Sequence, residues 1–342
     1  MKLYPGRKPN LRFVILTVLF FAALFFSVLA GRFSLSPLQL LRLLASKVLP
    51  VKKTWPTAAE TVVFSLRLPR VFKAAVIGAA LSVAGVSYQG MFRNPLVSPD
   101  LLGASTGAGF GAALAILLGA DSLMISVTAF LFGLLSVLAA YLISRASRAG
   151  ETLSMILAGM IVSALFSAGT SYLKLIADTE RKLPEITYWL MGSLSSLRQK
   201  EELLFLLIPF VIGFLPLLVL RWRINLLTLP DSEAKTMGVN TKALRLVVVV
   251  CATLLTSASV AVSGLIGWVG LVVPHMSRML FGYDYRRLLP ATALFGATFL
   301  VLVDDISRLA STSEIPIGIL TAVVGAPLFL YLLVSGGVRR AD

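Results

Sequence analysis

Histidine occurs once in this sequence, at position 275, and cysteine once, at 251. A lone cysteine closes no intrachain disulfide. With a single histidine, neither a Ser/His/Asp grouping nor a His-rich metal spacing can be assembled. A Gly-x4-Gly-Lys-Ser/Thr loop that would cradle nucleotide phosphates is also missing, so the chain does not hydrolyse ATP by itself. No catalytic or metal-ligating residue is assigned, no cofactor is expected on this chain, and a membrane enzyme ranks last among the readings. Charge is scarce too: 14% of residues are charged and 57% hydrophobic, where a soluble domain carries roughly a quarter charged.

What fills the chain is apolar runs of membrane-crossing length, about 20 residues each. They recur at 13–30, 71–91, 101–118, 123–143, 153–176, 203–220, 244–262, 271–280, 287–307 and 316–334, the eighth being short. No soluble-sized segment separates them, so residues 1–342 read as one integral all-α domain of about ten spans. The net charge of +15 could suggest nucleic acid, but the basic residues sit in short clusters at span ends, which membrane topology explains. Run 13–30 lies behind Arg7, Lys8 and Arg12 and could be a signal peptide cleaved after Val28-Leu29-Ala30. At 18 residues it exceeds the usual apolar core of a signal, about 7–15, and reads as a retained anchor with a cytoplasmic N-terminus.

Ten spans put both termini in the cytoplasm of a cell membrane. Arg93, Arg145, Arg148, Arg221, Arg223, Arg278, Arg286, Arg287, Arg339 and Arg340 then fall inside, as the positive-inside rule asks. Residues 31–66, with Lys52-Lys53, form the longest polar connection, outside. Segment 177–202 is also outside, with Arg181, Lys182, Arg198 and Lys200 offset by acids. A faint inverted repeat pairs Ser82-Val-Ala-Gly85…Pro95 with Ala261-Val-Ser-Gly264…Pro274, and inverted repeats are common in transporters.

Several features interrupt the apolar pattern. The ladder Gly103, Gly107, Gly111 puts small residues on one helical face and predicts a close helix contact. Gly264-x-x-Gly267-x-x-Gly270 is denser and predicts an irregular linker buried in protein. Gln89 reads as hydrogen-bonding glue in a packed span, and His275 as a packed structural residue. Asp304 and Asp305 near the end of the ninth span read equally as a solvated cap or an ion site. Arg67 and Arg70 around Pro69, and Arg308, read equally as side chains snorkelling to headgroups or as planar forks for carboxylates on an extracytoplasmic protein.

The stretch 225–241, NLLTLPDSEAKTMGVNT, is too polar for lipid and too long for a plain connector, which takes about 2–8 residues in bundles. Asp231, Ser232 and Glu233 are expected to cap and charge a helix start after Pro230, and Gly238 to end it. A short cytoplasmic helix that docks a partner is the reading. Mid-span acids are rare, which argues against the competing class, a gradient-driven carrier or channel.

Together, Arg67-Leu-Pro-Arg70, Gly78-Ala-Ala-Leu81, Gln89, Arg93-Asn-Pro-Leu96, Pro99-Asp-Leu-Leu-Gly103, Leu157-Ala-Gly159, Tyr188-Trp-Leu-Met-Gly192, Gly264-Leu-Ile-Gly-Trp-Val-Gly-Leu271, Pro274-His275, Glu314-Ile-Pro-Ile-Gly318 and Gly325-Ala-Pro327 resemble the FecCD family of ABC-transporter permeases. The likeness covers residues 60–335. It implies the permease fold of a type II importer that carries ferric siderophores first, or haem, cobalamin, molybdate or tungstate. The implied partners are a second permease subunit, as a homodimer, two cytoplasmic ATPase subunits holding ATP and Mg, and an extracytoplasmic binding protein. Carried over, Asp231, Ser232, Glu233, Ala234, Lys235, Met237, Gly238 and Val239 become the ATPase-coupling segment. Arg67, Arg70 and Arg308 become docking positions for the binding protein, and Glu151, Thr152, Leu153 and Ser154 the cytoplasmic gate. Spans five and ten would line the path. Leu153 stands where some members have a small polar residue, and Trp268 where Phe is usual.

Overall fold

The structure is a computed structural model that describes residues 9–50, 53, 55–147, 150–195 and 199–334. The expectations for Arg7, Lys8, Lys52, Arg148, Arg198, Arg339 and Arg340 lie outside the described residues. In chain order the α-helices are α1 (Pro9–Leu29), α2 (Pro37–Ala45), α3 (Thr57–Thr61), α4 (Leu68–Met91), α5 (Ala104–Leu117), α6 (Ser122–Ala146) and α7 (Glu151–Ile176). They continue as α8 (Lys182–Met191), α9 (Gln199–Leu227), α10 (Asp231–Thr236), α11 (Thr241–Ser263), α12 (Val269–Phe281), α13 (Tyr285–Leu309) and α14 (Ile317–Val334). Among the described residues, seven spans are long and apolar enough to cross a membrane: α1, α6, α7, α9, α11, α13, and α4 with the turns that lead into it. The apolar helices α5, α12 and α14 bring the total to the ten expected.

The bundle is built around α4. Within its apolar window 89% of residues are buried, against 22% for α1 and α9, so other helices surround it while those two face outward. Lipid tails are as apolar as leucine and give no hydrophobic drive to association, so the helices are held by close backbone approach. Small residues along α4 allow this. A Cβ at Gly85 would stand 1.8 Å from the Gly270 carbonyl oxygen of α12, and one at Gly78 would stand 2.2 Å from the Gly296 oxygen of α13. The Gly107 and Gly111 rungs of the ladder meet the Phe132 and Thr128 carbonyls of α6 in the same way, which is the helix contact the spacing predicts.

Helices α5 and α12 have 14 and 13 residues, about 20 Å of rise in a hydrocarbon layer of about 30 Å. Irregular backbone supplies the remaining depth: residues 97–103 before α5, including a 3-10 turn at Pro99–Leu102, and residues 264–268 before α12. Such backbone survives at depth because it is buried in protein. Gln89 ties the first of these stretches to the start of α12: its Nε2 donates to the Val97 carbonyl at 3.0 Å and reaches the Gly270 carbonyl at 3.5 Å. Gln89 is therefore the expected glue. His275 is buried in α12, as expected of a packed residue. Trp268 takes φ +68° at the start of α12 and sets its ring against Phe329 of α14. In the repeated motif, Gly85 lies mid-helix whereas Gly264 closes α11.

Two connections are more structured than expected. Segment 31–66 folds into α2, opened by a capping box between Ser36 and Gln39, then α3 and a π-helical turn at Val62–Arg67 that leads into α4. Segment 177–202 contains α8.

Replacing Gly85 by valine should destabilise the detergent-purified protein by about 1–3 kcal/mol or more, because the added carbons overlap the Gly270 backbone. Gly267→Ala, where a Cβ would meet nothing within 4 Å, should leave the thermal midpoint unchanged.

Candidate functional site

The two ends of α4 lie in two polar regions. At its C-terminal end is α10. Pro230 is the N-cap and no side chain caps the helix, which corrects the capping role expected of Asp231, Ser232 and Glu233. Asp231 Oδ1 instead accepts from Arg93 at 2.5 Å and from Arg245 of α11 at 2.7 Å. The helix closes with the Gly238 amide donating to Lys235 O and the Val239 amide to Ala234 O, with Gly238 at φ +78°. This is a Schellman end, as the sequence predicts. Ala234 is fully buried and pins the helix to the bundle, whereas Ser232, Glu233, Lys235 and Met237 point outward. Met237 is 57% exposed, an apolar knob on a polar surface.

Beside α10, the ends of α9 and α13 are tied by Asn225, whose side chain donates to Asp284 and accepts from the Tyr285 amide. Partial burial alone would raise the Asp284 pKa. The Arg286 amide, the Asn225 side chain and the charges of Arg286 and Arg287 outweigh it and hold the carboxyl below its ordinary value. At the start of α7, Leu153 is exposed, while Ser154 is buried and donates to Ser147 across the turn from α6 at 2.9 Å. Thr152 is half-buried beside them, and the Glu151 side chain lies outside the described residues.

The opposite end of α4 holds a cavity of about 830 Å³ lined by Arg67, Arg70, Arg308, Glu185, Glu202 and Glu314 with Tyr188, Trp189 and several serines. The three expected arginines converge here, but this chain's own groups hold their guanidiniums. Arg67 donates to the carbonyls of Val28 and Leu29 at the end of α1 and to that of Phe33, so it serves the carbonyl-rich end of a helix dipole. Gly31 leaves room for this guanidinium, which a Cβ there would push away from the carbonyls. Arg70 forks onto Asp304 of α13 at 2.8 Å and onto Glu314 at 2.9 Å. Arg308 pairs with Asp304 and Asp305 and reaches Ser27 of α1. Asp304 and Asp305 are 0% and 4% exposed, so the solvated-cap alternative is set aside.

Sequence reasoning missed three members of these clusters. Lys73, fully buried in α4, pairs at 2.7 Å with Glu202 in the first turn of α9. A signal existed: Arg70 and Lys73 stand three apart and share a helical face. Arg245 was missed as well, because a base just inside the start of a span reads as an ordinary interfacial residue.

A family model described as the FecCD transport family matches residues 18–335. The chain belongs to the FecCD transport family. Among curated FecCD relatives, the molybdate import system permease protein MolB of Haemophilus influenzae is 43% identical, over 98% of this chain and 99% of its own. The Helicobacter pylori protein named probable iron chelatin transport system permease protein is 42% identical, over 81% and 83%. A solved structure described as a metal-chelate type ABC transporter in an inward-facing conformation superposes with a TM-score of 0.85 at 43% identity, covering 96% of this chain and 100% of that one. The fold is that of an ABC-importer permease, and the chain is a cell-membrane protein whose FecCD relatives are transport permeases.

The Lys73–Glu202 pair gives a sharp test. Glu202→Leu alone takes away the 2.7 Å partner of the fully buried Lys73 ammonium and should cost about 3–5 kcal/mol in thermal unfolding of the purified permease. Lys73→Met with Glu202→Leu should recover most of that loss.

Proposed function

We propose that this chain is the membrane half of an ATP-driven importer that moves a metal chelate into the cytoplasm, with ATP and Mg held by a separate ATPase subunit. The carrying observation is α10: a buried Ala234 anchors it, a rigid glycine end closes it, and it presents Ser232, Glu233, Lys235 and Met237 outward. A free connector needs none of these features, and an ATPase-coupling segment in a FecCD permease does. The α10 end is then cytoplasmic. Arg93, Arg221, Arg223, Arg278, Arg286 and Arg287 at the helix ends on that side support this orientation, and with ten spans both termini would be cytoplasmic.

Two copies of the chain would face each other, each with an ATPase below and one binding protein above. The outer faces of α7 and α14, where Leu157, Met160, Ile161, Ile319 and Val323 are exposed, supply surface for the pairing and the path. Thr152, Leu153 and Ser154 stand at the cytoplasmic mouth of that path as its gate. Arg67, Arg70 and Arg308 line the opposite cavity, where acidic residues of a binding protein would compete with Glu314 for Arg70. From Leu153 to Leu173, α7 carries no charged residue, which suits passage by shape rather than by a fixed ionic site.

A ferric chelate is the first reading of the cargo, in keeping with the Helicobacter pylori relative's name. Molybdate is the second, favoured by the end-to-end match to MolB. Proteoliposomes holding the permease, its ATPase and its binding protein should accumulate one of the two only with ATP. Met237→Arg should lower that uptake at least tenfold and weaken co-purification of the ATPase. Uptake by the permease alone, without an ATPase, would decide for a gradient-driven carrier instead.

A further inference from the structure

We infer that Arg93 is a positioning residue that, with Arg245, carries displacement of α10 into the central helix α4 through Asp231. The inference rests on the reading of α10 as the ATPase-coupling segment. Helix α4 ends in a Schellman motif: the Arg93 amide donates to Gly90 O and the Asn94 amide to Gln89 O. In that motif the residue after the C-cap is left-handed, a place that glycine fills at no steric cost and asparagine sometimes fills. Here it is arginine, at φ +52°. Only Arg93 and Trp268 among the described non-glycine residues take positive φ. Trp268 uses its ring to pack on α14, whereas Arg93 uses its guanidinium to reach Asp231 at 2.5 Å.

The same carboxylate oxygen is held from the other side by Arg245 at 2.7 Å, and Arg245 lies 5% exposed inside the bundle on α11. A six-residue helix on the surface is thus fastened by one acid to the end of α4 and the start of α11. Helix α11 follows α10 directly in the chain, whereas α4 is remote, Arg93 and Asp231 being 138 residues apart. If the turn merely ended α4, glycine would serve better at position 93. A coupling strut instead needs a charged side chain there.

The test turns on that opposition. Arg93→Gly relieves the backbone while it removes the strut. In the assembled transporter, reconstituted with ATPase and binding protein, the variant should take up at least fivefold less cargo per ATP hydrolysed. Radiolabelled molybdate or a ferric hydroxamate serves as the probe, whichever the wild type accumulates. The thermal midpoint of the purified permease should hold or rise, and Arg93→Lys should restore part of the uptake ratio. A ratio within twofold of wild type overturns the inference. So does a fall in the midpoint, which would make Arg93 structural, or loss of the ATPase from the complex, which would make it a docking contact. Met237→Arg separates the two levels: if it leaves ATPase binding intact, the coupling reading fails first, and if it alone disrupts transport, only the strut fails.

Discussion

The close burial of α4 is the constraint on which the rest of the molecule depends. A helix with protein on nearly every side, in a solvent that gives no hydrophobic drive, stays in place only if its neighbours approach to backbone contact. The glycines and alanines facing α12 and α13 permit that approach. One consequence is mechanical. The 24 residues of α4 form a rod of about 36 Å that joins the α10 end to the arginine-lined cavity, in backbone contact with α12 at Gly85 and Gly270.

Charge follows the same geometry. The lipid-facing middles of the spans are apolar, and the buried ions gather at the two ends of α4, where each finds a partner on another element. Burying ions costs several kcal/mol each unless geometry and further hydrogen bonds repay it, so such clusters add more to uniqueness of packing than to net stability. At the cavity, Arg67, Arg70, Lys73 and Arg308 with their partners tie α1, α4, α9 and α13 to one another.

The span pattern was legible in the sequence because apolar runs of membrane length are the strongest periodic signal a chain can carry, and all ten expected spans correspond to helices. The Gly238 end of α10 and the irregular stretch before α12 were legible too, since glycine at those positions has a local backbone cause. Pairings were not. Nothing local tells that Asp231 leaves its cap role to bind Arg93 and Arg245, or that Asp304 turns inward to Arg70 instead of outward to water. Those choices depend on which helices become neighbours, and residues 234 positions apart carry no shared local pattern. Lys73 shows the limit clearly: in an α-helix its neighbour Arg70 was visible, and its partner Glu202 was not.

That same lysine bears on how the protein is made. Lys73 and Glu202 are separated by 129 residues, so α4 leaves the ribosome long before α9 exists. An ammonium in the membrane without its partner costs about 2.5–3.5 kcal/mol at mid-bilayer on insertion scales, less near the interface where it can snorkel. The nascent span therefore has a reason to sit high in the interface, or to linger beside the insertion machinery, until the acid-bearing helix arrives. Biogenesis of this bundle is thus a matter of timing between distant segments, with α9 completing the burial of the helix at its centre.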